Sequence, residues 1–315
     1  MQVWRGVDAV PASHGPSVVT IGVFDGVHRG HRAVVSEVVA HARSRGAAAV
    51  VVTFDPHPLE VLRPELAPKA LTTVDHRAQL LGEVGVDAVL VLPFDRELAG
   101  WSPERFVDDV LVGALGAAEV VVGEDFRFGA RAAGDITTLR ALGAERGFEV
   151  TALAPVGDTG HRWSSTYVRD RVALGEMEVA ARALSRPHRL EGPVTHGDKR
   201  GRELGFPTAN LGVGPHAAIP ADGIYAGWLL RPATGQRLPA AVSIGTNPTF
   251  DGVARRVEAY VLGFDDRPEE LDLYDEHVAV DFVTRIRDTV RFTSIEALVE
   301  QMHRDVVEVA RVLGV

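Results

Sequence analysis

The 315-residue chain carries 33 Lys+Arg against 43 Asp+Glu, a net charge of −10 with histidines neutral, and 46% of its residues are hydrophobic. That composition supports packed cores in about two domains and argues against disorder, and the acid excess argues against a general nucleic-acid binder. With no cysteine, disulfides, thiolate catalysis and cysteine-ligated zinc or iron–sulfur centres are excluded. Apolar runs such as Ala47–Val52 are far shorter than the ~18–20 residues a membrane helix needs. No apolar stretch follows a basic start at the N-terminus, so neither a leader nor a membrane partner is expected, and a cytoplasmic location is.

The elements change character along the chain. Val18–Val23, Ala48–Phe54, Ala88–Leu92, Glu119–Gly123 and Glu149–Leu153 read as short β-branched runs. Between them lie segments with helical spacing, such as Ala33, Val34, Glu37, Val38 and His41. Continuous apolar strands separated by helices predict a parallel sheet covered on both faces, a Rossmann-like α/β domain. Beyond about residue 186 helical periodicity gives way to Arg189–Thr195, Ile224–Arg231, Leu238–Ile244, Arg256–Gly263 and His277–Val283. Turn signals at Gly205–Pro207, Ala221–Gly223 and Gly245–Pro248 separate these, which predicts a small antiparallel barrel or sandwich. A last helix presents Ile295, Leu298, Val299, Met302, Val306 and Val309 on one face after a polar start at Ser294. The hinge is set at Ser185-Arg186-Pro187, giving domains 1–186 and 187–315.

The first chemistry-bearing run is Gly22-Val-Phe24-Asp25-Gly26-Val-His28-Arg-Gly30-His31, between the first strand and the first long helix. Gly26 and Gly30 let backbone approach a ligand, and a helix N-terminus favours phosphate. His28 and His31, three apart at that end, can donate to charge developing on a transferring phosphoryl group. Read alone, a His-x-x-His pair has little meaning; His-x-Gly-His directly after a strand and a glycine-rich turn is far more specific. It resembles the signature of the HxGH nucleotidyltransferases, and the flanking Gly-x-Phe-Asp-Gly is similar to the adenylyltransferase module of bacterial bifunctional riboflavin kinase/FAD synthetases. Trp163-Ser164-Ser165-Thr166-Tyr-Val-Arg169 resembles the second phosphate signature of that superfamily, with Trp163 where an aliphatic residue is usual. The resemblance implies that Gly22, Phe24, Asp25, Gly26, Gly30, Ser164, Ser165 and Thr166 bind ATP and its phosphates, and that Arg169 acts with His28 and His31. Thr53-Phe54-Asp55-Pro56-His57-Pro58 and Gly123-Glu124-Asp125-Phe126-Arg127-Phe128 close strands two and four, where open α/β sheets hold their ligands. Phe54, Asp55, Asp125, Phe126 and Phe128 are therefore the flavin candidates of this domain, although aromatic residues at such places are more often core.

The second run is Gly197-Asp-Lys199-Arg-Gly201-Arg-Glu-Leu-Gly-Phe206-Pro207-Thr208-Ala-Asn210. On physics alone, Pro207-Thr208-Ala209-Asn210 is equally a turn stabilised by Asx-type hydrogen bonds. Gly-Phe-Pro-Thr-Ala-Asn is similar to the signature of the riboflavin kinase family, a small antiparallel barrel. Consistently, no Walker-type Gly-x4-Gly-Lys-Ser/Thr occurs. The resemblance gives Mg²⁺ to Thr208 and Asn210, nucleotide phosphate to Gly197, Lys199 and Gly201, and the catalytic carboxylate to Glu258. Arg291 belongs to a C-terminal segment that resembles the flavin-side lid of the family. One departure is Asp275 in Leu273-Tyr274-Asp275-Glu276, where glycine is usual; Asp tolerates a left-handed conformation, so the turn is expected to survive.

Together the resemblances imply an enzyme that makes FMN from riboflavin and ATP with Mg²⁺, then FAD from FMN and a second ATP with release of pyrophosphate. An enzyme keeping only one activity, and a flavin-sensing protein with lost catalysis, are the alternatives. Retention of His28, His31, Thr208, Asn210 and Glu258 argues against the sensor. The oligomeric state is open.

Overall fold

The structure is a computed structural model, and it describes residues 1–315 except 13, 155–156, 159–160, 197–203, 250–251 and 265–270. It comprises two compact units, residues 1–68 with 73–165 and residues 69–72 with 166–315.

The first unit is built on β1 (Gln2–Arg5), β2 (Ser17–Ile21), β3 (Ala48–Asp55), β4 (Ala88–Pro93), β5 (Ala117–Gly123) and β6 (Glu149–Leu153). They form one sheet in the order β1-β4-β3-β2-β5-β6, parallel throughout. A small hairpin, β7 (Gly157–Asp158) with β8 (His161–Arg162), follows. The main helices are α1 (Arg29–Arg45), α2 (Val74–Val84) and α3 (Ile136–Arg146). Alternation along β3 shows why both faces need cover: Val50 and Val52 join the cluster with Leu111 and Leu139, whereas Val51 points to Leu80 and Leu81 of α2. On α1 the buried face is Val35, Val38 and Ala42, one step along from the Ala33–Val34 start expected from the sequence. β1 gave no apolar run because Trp4 alone is buried in it. Strand order reverses between β2 and β5, so the carboxyl ends of β2, β3 and β5 meet at a topological switch point.

The second unit contains α4 (Ser165–Ala173, its first residue still in the first unit) and α5 (Met177–Leu184), then a barrel. Its strands are β9 (His188–Thr195), β10 (Ala209–Leu211), β11 (Gly223–Arg231), β12 (Gln236–Thr249), β13 (Gly252–Val261) and β14 (His277–Arg287). The ring β10-β13-β12-β11-β14-β9 is closed by β9–β10 pairing and antiparallel throughout, which leaves no sheet edge exposed. The turn expected at Gly245–Pro248 is instead strand: the ladder runs from Gly245 opposite Arg256 to Thr249 opposite Gly252. Local breaker residues are overridden there by a long partner strand. β10, three residues long, is too short to show alternation in the sequence.

The last helix, α6 (Ile295–Leu313), is capped by the Ser294 hydroxyl, which accepts from the Ala297 N–H at 3.2 Å. Val299, Met302, Val306 and Val309 pack on Phe206, Ala226, Tyr260 and Leu262. Ile295, expected on that face, is 63% exposed in the first turn.

Candidate active sites

In the first unit, β2 runs into a turn whose backbone is unusual. Phe24 (φ 51°) and Val27 (φ 41°) are non-glycine residues in the left-handed region, and Gly26 lies between them at φ 82°. A left-handed conformation is costly for a β-branched valine, so surrounding contacts must enforce it. The turn delivers His28 to the N-cap of α1, where its Nδ1 accepts from the His31 N–H at 3.3 Å. An accepting Nδ1 puts the His28 proton on Nε2, the tautomer that can donate to an oxyanion. The His28 and His31 rings are stacked at 3.6 Å, and Phe24 packs edge-on against His31 at 5.1 Å. A Cβ on Gly30 would lie 3.1 Å from both His28 Cε1 and the Trp163 carbonyl oxygen, so any side chain there would have to push the His28 ring or that carbonyl aside. Ser165 Oγ donates to the Asp25 carbonyl at 2.9 Å, and Arg29 lies over the Trp163 ring. His28, His31, Gly22–Gly30, Ser164 and Ser165 thus belong to one construction; Thr166 and Arg169 continue along α4 in the second unit, where Arg169 Nε donates to the Lys69 carbonyl at 2.7 Å.

Asp25, expected at the nucleotide, is 2% exposed and turned inward. Its carboxylate lies 3.9 Å from Arg77 Nη2. Arg77 has no counterpart among the residues expected from the sequence; the signal was an arginine directly before the buried Ala78, Leu80 and Leu81 of α2. The strand-end aromatics divide. Phe128 is 8% exposed and part of the core, whereas Phe54 and Phe126 are half-buried against it. Asp55 is exposed, and Asp125 is ion-paired with Arg162 at 2.7 Å.

In the second unit, a cavity of about 310 Å³ opens between the barrel and α6, a size suited to a small ligand. Phe206, Thr208, Ser243, Glu258, Tyr260, Arg287, Phe292 and Asp305 are among the residues lining it. Asn210 on β10 and Ser243 on β12 are the direct partners of Glu258 on β13. Residues directly opposite in neighbouring strands project from the same face, so the three form one rung. Thr208 lines the same cavity, and its hydroxyl and the Asn210 amide carbonyl are hard oxygen donors of the kind Mg²⁺ takes. Arg287 is fixed by a two-pronged pair with Asp305, Nε to Oδ1 at 2.8 Å and Nη2 to Oδ2 at 2.6 Å. Arg291, the sequence candidate in the lid, is exposed and outside the lining; Arg287 and Phe292 line the cavity instead. Gly197, Lys199 and Gly201 lie outside the described residues. The Asp275 turn survives as expected: Asp275 has φ 60°, and its N–H donates to the Val194 carbonyl at 3.1 Å.

Comparison with known proteins gives two family matches, FAD synthetase over residues 10–167 and riboflavin kinase over residues 184–313. The bifunctional riboflavin kinase/FMN adenylyltransferase of Escherichia coli (strain K12) is 38% identical over 97% of this chain and 96% of its own length. That of Bacillus subtilis (strain 168) is 32% identical over 94% and 92%. A crystal structure described as a macrolide-efflux protein from Streptococcus pneumoniae superposes with a TM-score of 0.86, at 31% identity and 99% coverage of both chains. Among the described residues, no helix is long and apolar enough to cross a membrane.

Proposed function

The chain belongs to the bifunctional riboflavin kinase/FMN adenylyltransferase family, and from that premise we propose how its residues divide the two reactions. The observation that carries the reading is that the two family matches fall on successive stretches of one chain, each containing its own motif set. We assign residues 1–186 to the adenylyltransferase and 187–315 to the kinase; the matches ending at 167 and starting at 184 support a junction near there. We place the enzyme in the cytoplasm, where the two ATP molecules consumed per FAD are available.

In the kinase, the riboflavin 5′-hydroxyl attacks the γ-phosphorus of ATP, giving FMN and ADP. That hydroxyl is a weak nucleophile, and Glu258 accepts its proton, a contribution of ~10²–10⁴ in rate for a well-placed base. Thr208 and Asn210, with the phosphates, would hold Mg²⁺, which when bound supplies positive charge against the transferring group. Gly197, Lys199 and Gly201 carry the ATP phosphates. The cavity beneath α6 takes the flavin ring, with Tyr260, Arg287 and Phe292 as walls and Arg291 on the lid outside it.

In the adenylyltransferase, an FMN phosphate oxygen attacks the α-phosphorus of ATP, giving FAD and pyrophosphate. No strong base is needed, because a phosphate monoester is largely ionised at neutral pH. His28 and His31 donate to charge developing on the α-phosphate, Gly22, Phe24, Gly26 and Gly30 shape the backbone against the nucleotide, and Ser164, Ser165, Thr166 and Arg169 hold the triphosphate by their motif. Phe54, Asp55, Asp125 and Phe126 form the flavin side, backed by Phe128.

The test is a time course by HPLC with riboflavin, ATP and Mg²⁺. FMN followed by FAD is expected. Folded protein that binds flavin and makes neither product overturns the assignment.

A further inference from the structure

The turn before His28 holds two non-glycine residues in the left-handed region, Phe24 and Val27, so something nearby must keep it there. The group in position to do so is the Arg77 guanidinium on α2. It is almost fully withdrawn from solvent, with its side chain 6% exposed and that of Asp25 3% exposed. One arm, Nη1, donates to Thr53 Oγ1 at 3.2 Å and to the Phe54 carbonyl at 3.3 Å. The other, Nη2, lies 3.9 Å from the Asp25 carboxylate. Thr53 Oγ1 in turn donates to the Val23 carbonyl at 2.9 Å. The fork therefore ties the carboxyl end of β3 to the residue at the centre of the strained turn, and the Thr53 hydroxyl carries the link on to Val23, just after β2.

We infer that Arg77 is a positioning residue for FAD formation: through Asp25 and Thr53 it sets the Val23–Val27 turn and hence where His28 and His31 stand. This rests on the assignment of His28 and His31 to nucleotidyl transfer. It also assigns Asp25 a role other than nucleotide contact, since a carboxylate turned toward a buried guanidinium is spent on the turn. Lysine could not replace the fork, because one ammonium does not span Thr53, the Phe54 carbonyl and Asp25 together in that planar geometry. Donors that act only on transition-state charge are sensitive to small displacements, so the loss belongs in kcat rather than in KM.

The test uses the full chain with supplied FMN and ATP, FAD being read by HPLC and FMN formation from riboflavin in the same preparation serving as internal control. Arg77→Met with Asp25→Asn removes both charges together and leaves neither buried alone. It is expected to lower kcat for FAD by ~10²-fold with the KM for ATP within about twofold. Thr53→Val, which deletes a hydroxyl and no charge, is expected to give a smaller loss in the same direction, about 3–10-fold. Each change is repeated in a His28→Ala background, where a positioning role leaves little further to lose and a general loss of structure would multiply. Wild-type kcat in the charge-free variant overturns the proposal, and so do equal fractional losses in both backgrounds. Full FAD formation by His28→Ala alone overturns the histidine assignment and this proposal with it.

Discussion

The two sites use the same co-substrate but are made of different material. In the first unit the groups we assign to the reaction hang on backbone geometry: His28 caps α1, its ring stacks on His31, and both follow a left-handed turn at the end of β2. In the barrel they are side chains on one rung, with Glu258 between Asn210 and Ser243. The difference follows the nucleophiles. A phosphate monoester arrives ionised and needs donors at the electrophile, which a helix start supplies. A neutral hydroxyl needs an acceptor, which a strand can present at a fixed distance from the phosphate ligands.

Breaking one site while sparing the other is the sharpest way to test that contrast. Replacing both histidines, His28→Ala with His31→Ala, is expected to reduce FAD formation by roughly 10³-fold or more, since even one preorganised donor is worth ~10²–10³. FMN formation from riboflavin should be unchanged in the same assay. Glu258→Ala should lower FMN formation by ~10²–10⁴-fold and leave adenylylation of supplied FMN intact. Loss of both steps in either folded variant would show that the units do not act separately.

How legible each site is in the sequence follows from how local it is. The Gly22–His31 run is contiguous, and its strand and helix neighbours read correctly, so a candidate site there is legible from local residues alone. The Asn210–Glu258–Ser243 rung is a matter of register between three strands, one of them only three residues long, and no spacing in the sequence reports it. The cavity has the same character: Phe206, Glu258, Arg287 and Asp305 meet only when α6 folds back on the barrel. Arg287 and Arg291 look alike in the chain, and the Asp305 partner is what separates them. Arg77 was hidden for a related reason, as its meaning depends on the strand ends it joins.

A smaller effect separates the units by pH. Burial alone would raise the Glu119 carboxyl on β5, but the Thr151 hydroxyl, His41 and Arg45 outweigh it and hold that carboxyl below its ordinary 4.5. The Glu119 carboxylate accepts hydrogen bonds of 2.7 Å from Thr151, 2.8 Å from His41 and 2.9 Å from Arg45. A depressed carboxylate contributes stability that is present above the ordinary value and is lost as pH falls through the folded one. The first unit should therefore weaken below about pH 4.5, and Glu119→Gln should flatten that part of its melting profile. At neutral pH the substitution is expected to cost about 2 kcal/mol, or ~4–8 °C in the transition of that unit. An acid profile unchanged by Glu119→Gln would remove this carboxylate as its cause.

The smallest expected effect concerns Asp275, where the resemblance drawn from the sequence leads one to expect glycine. Two explanations of that glycine make different predictions. If it is there for backbone freedom, Asp275→Gly should shift barrel stability by less than about 1 kcal/mol, because Asp already tolerates φ 60°. If it is there so that backbone can approach a ligand, the same change should lower the KM for riboflavin or ATP. The contacts around the turn favour the first. The Asp275 N–H and Val194 carbonyl are paired at 3.1 Å, the Glu276 N–H reaches the Leu273 carbonyl at 3.1 Å, and Glu276 is held by Arg231 at 2.7 Å. All of these hold with aspartate present, so conformation rather than space is what the position demands. Asp275→Val sharpens the point, since a β-branched residue in the left-handed region costs ~1–2 kcal/mol or more. The expected order of barrel stability is therefore glycine close to aspartate and both above valine, with KM values within about twofold for the first two.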